Sequence, residues 1–253
     1  MKEKLYTIPL NDAFHANDEC PFCYIEKKIE EDMLDFVLGS GSSYMESNIR
    51  EVTDKKGFCR FHYQKMFDYG NTLGNAWILK THYQKMRDEM QAQFKKFQPA
   101  RTSIKDKFRK ASARKNAIGI WTSGNMKSCY ICSQYSDTYA RYLDTFFIMY
   151  KKDPVFKEMV INSKGFCLSH FGDLCEMADS KLSEKEKNEF YTSMFALMEK
   201  NMERVHEDIS WLIEKFDYRN KDADWKNSKD AIQRGMQKLA GGYPAAPIYK
   251  QSR

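Results

Sequence analysis

No apolar stretch among these 253 residues approaches the 18 or so that a membrane-spanning helix needs. The opening segment, MKEKLYTIPLNDAF, has neither an apolar h-region nor a small-residue cleavage site, so no signal peptide is expected there. Strand-like alternation is nearly absent, and no βαβ pattern surrounds any cysteine pair. A disordered chain is excluded too, because 42% of the residues are hydrophobic and 30% charged. Without an export signal, the expected location is the cytoplasm. Thiols stay reduced in that compartment, so seven cysteines point to metal binding or catalysis before disulfides.

Positive charge is concentrated in one place. Nine basic residues (Lys95, Lys96, Arg101, Lys105, Lys107, Arg109, Lys110, Arg114 and Lys115) stand against the single acid Asp106, while the whole chain carries +6. Outside Lys95–Lys115 the protein is slightly acidic. With Ile104, Phe108 and Ala111 at helical spacing, the segment has the charge to grip phosphates or an anionic membrane surface. It also fits a solvated linker, since stacking aromatics are few.

Helical periodicity dominates the rest. Residues 22–38 put Ile25, Ile29, Met33, Phe36 and Val37 on one face, before Gly39-Ser40-Gly41. A second helix is expected over 71–97, with Leu73, Trp77, Tyr83, Phe94 and Phe97 as its apolar set and the Lys80 stem beside them. A third covers 130–150, with an aromatic stripe of Tyr135, Tyr139, Tyr142, Phe146 and Tyr150 joined by Leu143, and stops at Pro154. Ser183, with Glu186 three residues on, reads as the capping box of a long helix. Its inner face would run through Phe190, Met194, Leu197, Val205, Ile209, Leu212 and Phe216. A shorter helix is expected from Trp225 to Leu239. The fold class is therefore all-α.

The organising feature is a repeat. Cys20-x-x-Cys23 is followed by Cys59-x-x-His62, and Cys129-x-x-Cys132 by Cys167-x-x-His170, with 35 and 34 residues between the members. KGFC occurs at both second positions, and Leu34-Asp35 matches Leu143-Asp144 at the same distance after each CxxC. A duplicated unit accounts for this. It divides the chain into a first CxxC…CxxH helical unit (1–98), a basic linker (99–120), a second unit (121–240) and an irregular tail (241–253). Packed together, the units would form one pseudo-symmetric helical domain.

Each unit offers three thiols and one imidazole in two short pairs, the donor set of a closed Cys₃His zinc site. The expected metal ligands are Cys20, Cys23, Cys59 and His62 for one Zn²⁺, and Cys129, Cys132, Cys167 and His170 for a second. Placing each pair at a helix N-terminus would stabilise its thiolates through the macrodipole. An iron–sulfur cluster with one His ligand is the alternative. A dithiol redox centre fits CPFC taken alone, but the second copy is CYIC and lacks the proline. A c-type haem would need CxxCH, whereas Tyr24 and Ser133 follow the second cysteines.

The remaining features read as structural. Cys175, among Phe171, Leu174 and Ala178, suits a small buried hydrophobe. Glu203-x-x-His206 matches half of a di-iron carboxylate signature, but the sequence has no second copy. His15 and His82 carry no constellation, although HYQKM occurs at both His62 and His82. The stretch from Lys215 to Trp225 mixes polar groups and aromatics, and reads best as an Asp/Arg network tying the C-terminal helix back.

CPFC…KGFCRFHY and SCYIC…KGFCLSHF, followed by KFDYRN, resemble a family of uncharacterised bacterial proteins with a duplicated CPxC…GFCxxH unit ahead of a KxDYRN segment. The likeness spans Cys20 to about Arg234 and implies paired metal knuckles in a cytoplasmic protein. The departure is Tyr130 at the position of the proline. Three classes of function stay open. The first is a zinc-binding scaffold or interaction protein with a protein partner, and the second a metal- or redox-responsive thiolate sensor or metal carrier. The third is an enzyme with a site near His206, Asp217, Tyr218 and Arg219. Nucleic-acid binding through Lys95–Lys115 is a further alternative.

Overall fold

The computed structural model describes residues 4–99 and 116–244. Most of the basic segment, from Arg101 to Lys115, lies outside the described residues, as does the tail beyond residue 244. Lys95 and Lys96 form the last turn of a helix. Among the described residues there are eleven α-helices and no strand, the all-α class that the periodicity indicates. The helices are α1 (Lys4–His15), α2 (Pro21–Leu38), α3 (Ser47–Lys56), α4 (Arg60–Tyr69), α5 (Thr72–Lys96) and α6 (Ala117–Lys127). They continue with α7 (Tyr130–Lys152), α8 (Pro154–Ile161), α9 (Leu168–Lys181), α10 (Glu184–Glu214) and α11 (Ala231–Ala240). No described helix is long and apolar enough to cross a membrane.

The chain forms two compact units, and they do not follow the repeat. One takes in the described residues of Met1–Glu30 and Tyr135–Ala246, the other those of Glu31–Gln134. The first unit is built around aromatic packing. Phe146 of α7 meets Phe22, Phe156, Phe166 and Tyr150 with ring centroids 5.7–6.4 Å apart. Phe22 and Phe166, both fully buried, stand inside one CPFC and beside one KGFC cysteine, so this core also positions ligands. The second unit buries Leu34, Val37, Leu38, Met66, Tyr69 and Ile78 with Phe58, Tyr130 and Ile131. Leu34 and Leu143, the matched leucines of the two copies, are both buried.

Capping explains several boundaries. Ser183 and Glu186 form the expected capping box at the start of α10. Asn71 caps α5 by accepting the Gly74 N–H, and Asp153 caps α8 by accepting those of Val155 and Phe156. Some expected faces differ. Phe36 on α2 is exposed, and so are Leu73, Tyr83 and Phe94 on α5, which buries Gly74 and Ile78 instead. Phe216 is 84% exposed, beyond the end of α10. The C-terminal helix begins at Ala231, not Trp225, because Lys226 takes φ +50° and Trp225 accepts the Ser228 N–H in a turn.

Candidate metal centres

All eight candidate ligands lie at the starts of four helices. Cys20 directly precedes α2 and Cys129 directly precedes α7, while Cys59 and Cys167 are the N-cap residues of α4 and α9. The second member of each pair, Cys23, Cys132, His62 or His170, falls in the first helical turn. A three-residue step there brings both side chains round to one side of the helix end. The two KGFC loops repeat one conformation. Gly57 and Gly165 have φ of +60° and +75°, and the following cysteines have φ −74° with ψ 165° and 162°. Only glycine takes such a positive φ without strain, which accounts for the G of KGFC.

The ligands converge as two groups of four, but with their partners exchanged. Cys20 and Cys23 meet Cys167 and His170; Cys59 and His62 meet Cys129 and Cys132. Within each group the ligand atoms lie within 4.8 Å of one another. The expected pairing of Cys20 and Cys23 with Cys59 and His62 is therefore corrected, and so is that of Cys129 and Cys132 with Cys167 and His170. Each group belongs wholly to one compact unit.

The distances suit a single four-coordinate ion. Zn–S bonds of about 2.3 Å and a Zn–N bond of about 2.0 Å, set tetrahedrally, put sulfurs about 3.8 Å apart and sulfur about 3.5 Å from nitrogen. In the first centre, Cys23 and Cys167 sulfurs are 3.8 Å apart, and His170 Nδ1 lies 3.3, 3.6 and 3.2 Å from Cys20, Cys23 and Cys167. In the second, Cys59 and Cys132 sulfurs are 3.9 Å apart, and His62 Nδ1 lies 3.2, 3.2 and 3.4 Å from Cys59, Cys129 and Cys132. No cysteine is in a disulfide.

Taken as protein groups alone, the donors compete for charge. The Cys167 thiol is held far below its ordinary range by hydrogen bonds from the Cys20 and Cys23 thiols and from His170, against the effect of burial. Cys23 is driven far above its range by the Cys167 and Cys20 sulfurs and by burial. Burial opposes charge on His170, but the Cys167 and Cys20 sulfurs outweigh it and push the imidazole up to about 10. In the second centre burial acts to raise Cys129, yet hydrogen bonds from His62 and from backbone N–H groups bring it down to about 6. Burial together with Cys129 and Cys59 lifts Cys132 to about 12. Three sulfurs cannot all ionise side by side unless a cation joins them, and a divalent ion supplies that charge.

The surroundings support the donors. His170 turns Nε2 toward Glu26, 3.7 Å away, the carboxylate–histidine arrangement that orients a metal-bound imidazole. Tyr139, which donates to Asp173 at 2.9 Å, packs on the His170 ring. His82, which the sequence leaves without a role, positions the second centre. Its Nδ1 lies 2.8 Å from the Asp54 carbonyl, and its ring is so close to Gly57 that a Cβ there would sit 2.8 Å from Cε1. From the second HYQKM, His82 alone thus packs from α5 on the loop that carries Cys59.

The chain matches the family model DUF6062, described as a family of unknown function, over residues 1–246. It belongs to that family. No curated protein and no solved structure matches the chain. Membership of DUF6062 therefore brings no activity with it, and the chemistry must be read from the two centres.

The other candidates are scattered. His206 is exposed beside Glu203, 3.6 Å away, and Arg219 is exposed in a pairing with Asp217 at 2.6 Å. Cys175 is half-buried, in neither centre. Lys215 is buried, and its ammonium donates to the carbonyls of Asn220, Lys221 and Ala223 at 2.5–3.0 Å. Asp217 caps the short 3-10 turn at Tyr218–Asn220. The polar part of KFDYRN therefore closes the end of α10. The tie to α11 runs through Arg234, which donates to Asp208 at 2.8 Å and Asp230 at 2.9 Å.

Proposed function

We propose that this protein is a zinc-binding helical scaffold or interaction protein whose two Cys₃His sites hold structural Zn²⁺. The observation that carries this reading is the convergence of three thiols and one imidazole, twice, at tetrahedral separations and with all four positions supplied by protein. A closed donor set leaves no position for a reacting water. An iron–sulfur cluster would spread its ligands over two or more irons, which the tight grouping within 4.8 Å does not favour. Zinc would offset two of the three thiolate charges at each centre and would tie together helix ends far apart in sequence. Reduced thiols at both centres fit a cytoplasmic setting.

Metal analysis of single and double variants tests both the ion and the exchanged partners. The purified protein is expected to carry two zinc per chain. Cys20→Ser with Cys167→Ser disables the same centre twice and is expected to lose one zinc. Cys20→Ser with Cys59→Ser disables both and is expected to lose two. Iron with visible absorption in place of zinc would sink the proposal.

A further inference from the structure

Resting on the zinc reading above, we infer that the two centres differ in kind. The Cys59–His62–Cys129–Cys132 centre is an exchangeable metal site that soft electrophiles and incoming thiol ligands enter at Cys132. The Cys20–Cys23–Cys167–His170 centre is sealed.

The contrast lies in burial and in what covers each centre. Cys20, Cys23, Cys167 and His170 are 0%, 1%, 0% and 4% exposed. After α11 the chain turns over this centre through Gly241 and Gly242, both at positive φ, +77° and +70°. The Gly242 N–H donates to Cys23 Sγ at 3.3 Å. At Gly241 even a Cβ would lie 3.3 Å from Cys167 Sγ and 3.7 Å from Cys23 Sγ, so the backbone itself closes the approach. The cover is pinned at three points. Tyr243 donates to Asp18 at 2.8 Å, Gln237 donates to Asp18 at 2.7 Å, and the buried Lys238 ammonium lies 3.2 Å from the Glu19 carboxylate.

The other centre opens on one side. Cys129 and His62 are buried, Cys59 is half-buried and Cys132 is exposed. A reagent can therefore reach one ligand of the set from solvent without the fold opening. Reactivity of a metal-held thiolate follows its access, and losing one of four ligands weakens the grip of the other three.

N-ethylmaleimide makes the step concrete. The Cys132 thiolate forms a carbon–sulfur bond to the alkene, the displaced π pair takes a proton from water, and hydroxide is left. The product is a neutral thioether, a poorer ligand, and the ion passes to a competing chelator.

The test uses the full-length zinc-loaded protein with N-ethylmaleimide and a chromophoric zinc chelator, and maps labelled cysteines by mass spectrometry. One zinc per chain is expected to leave quickly with label on Cys132, and the second roughly tenfold or more slowly. Helical circular dichroism should persist through the first phase. Release of both ions at one rate would overturn the inference, as would label on Cys20, Cys23 or Cys167 alongside Cys132. Gly242→Ala supplies a second arm, because its Cβ meets nothing within 4 Å while φ +70° disfavours it, so the change loosens the cover without a clash. It is expected to speed only the slow phase, and an unchanged slow phase would refute the role of the cover. A protein purified without zinc would instead refute the proposed function, an outcome distinct from these.

Discussion

Tyr130 stands where the first CxxC carries Pro21, and its backbone shows why the proline is missing. Its N–H donates to the Gly57 carbonyl at 2.9 Å, joining the start of α7 to the KGFC loop that brings Cys59 and His62 to Cys129 and Cys132. Proline has no N–H to give. Tyr130→Pro should leave the buried carbonyl short of a partner and cost about 1–3 kcal/mol, whereas Tyr130→Phe keeps the backbone bond and should cost less. Urea unfolding of the two variants, both with zinc bound, checks this. Equal losses would mean that the phenol hydroxyl, the one group both variants lack, accounts for the effect, not the N–H. The Gly57 end of the contact is as constrained. Its φ +60°, ψ −159° is a region open essentially to glycine alone, and His82 fills the space a side chain would need. The departure that looks like a weakened motif in the sequence is thus a specific hydrogen bond at a candidate metal centre.

At the scale of elements, KFDYRN separates into groups the fold uses and groups it does not. Lys215 satisfies three carbonyls at the end of α10, so Lys215→Ala should strand them and cost about 2 kcal/mol. Phe216 and Tyr218 are 84% and 86% exposed, so replacing both by alanine should move stability by no more than about 0.5 kcal/mol each. Thermal unfolding of the three proteins measures the contrast. A large loss from the aromatic pair would show that they pack against something in solution. Here the sequence is legible unevenly. The long periodic helices α2, α7 and α10 are readable because the apolar stripe agrees with Gly39 after α2, Pro154 after α7 and the Ser183–Glu186 capping box before α10. The face of α5 is not, because a burial carried by Gly74 and Ile78 leaves little pattern. The ligand types and their helix-start positions follow from CxxC and CxxH spacing, but their partners do not. Helices supply the missing reason: at about 1.5 Å per residue, α2 carries the chain about 27 Å from Cys20 and α7 about 35 Å from Cys129. The ten-residue α3 spans only about 15 Å, so a CxxH that follows its CxxC in sequence need not lie beside it in space.

For the whole molecule, the exchanged pairing nests one centre inside the other. Cys59 to Cys132 closes 73 residues, and Cys23 to Cys167 closes 144 around them. Loop-closure entropy opposes this only weakly. Each doubling of loop length costs about 0.6 kcal/mol, and once the inner centre has formed, the outer one closes an effective loop of about 70 residues. Packing of long helices easily outweighs a preference that small. The consequence is a division of labour, because each centre lies in one unit with its own buried cluster. On the proposed function, Cys167→Ser should therefore remove an ion held between the starts of α2 and α9. Hydrogen exchange should quicken in α9, in α11 and at Gly241–Tyr243, while amides of α3, α4 and α5 keep their protection. Cys59→Ser should do the reverse, loosening α4 while α9 and α11 remain slow. Both variants can be compared with the parent protein by mass spectrometry at peptide resolution. If either change instead lowers protection evenly from α1 to α11, the two units unfold as one and each ion stabilises the whole chain.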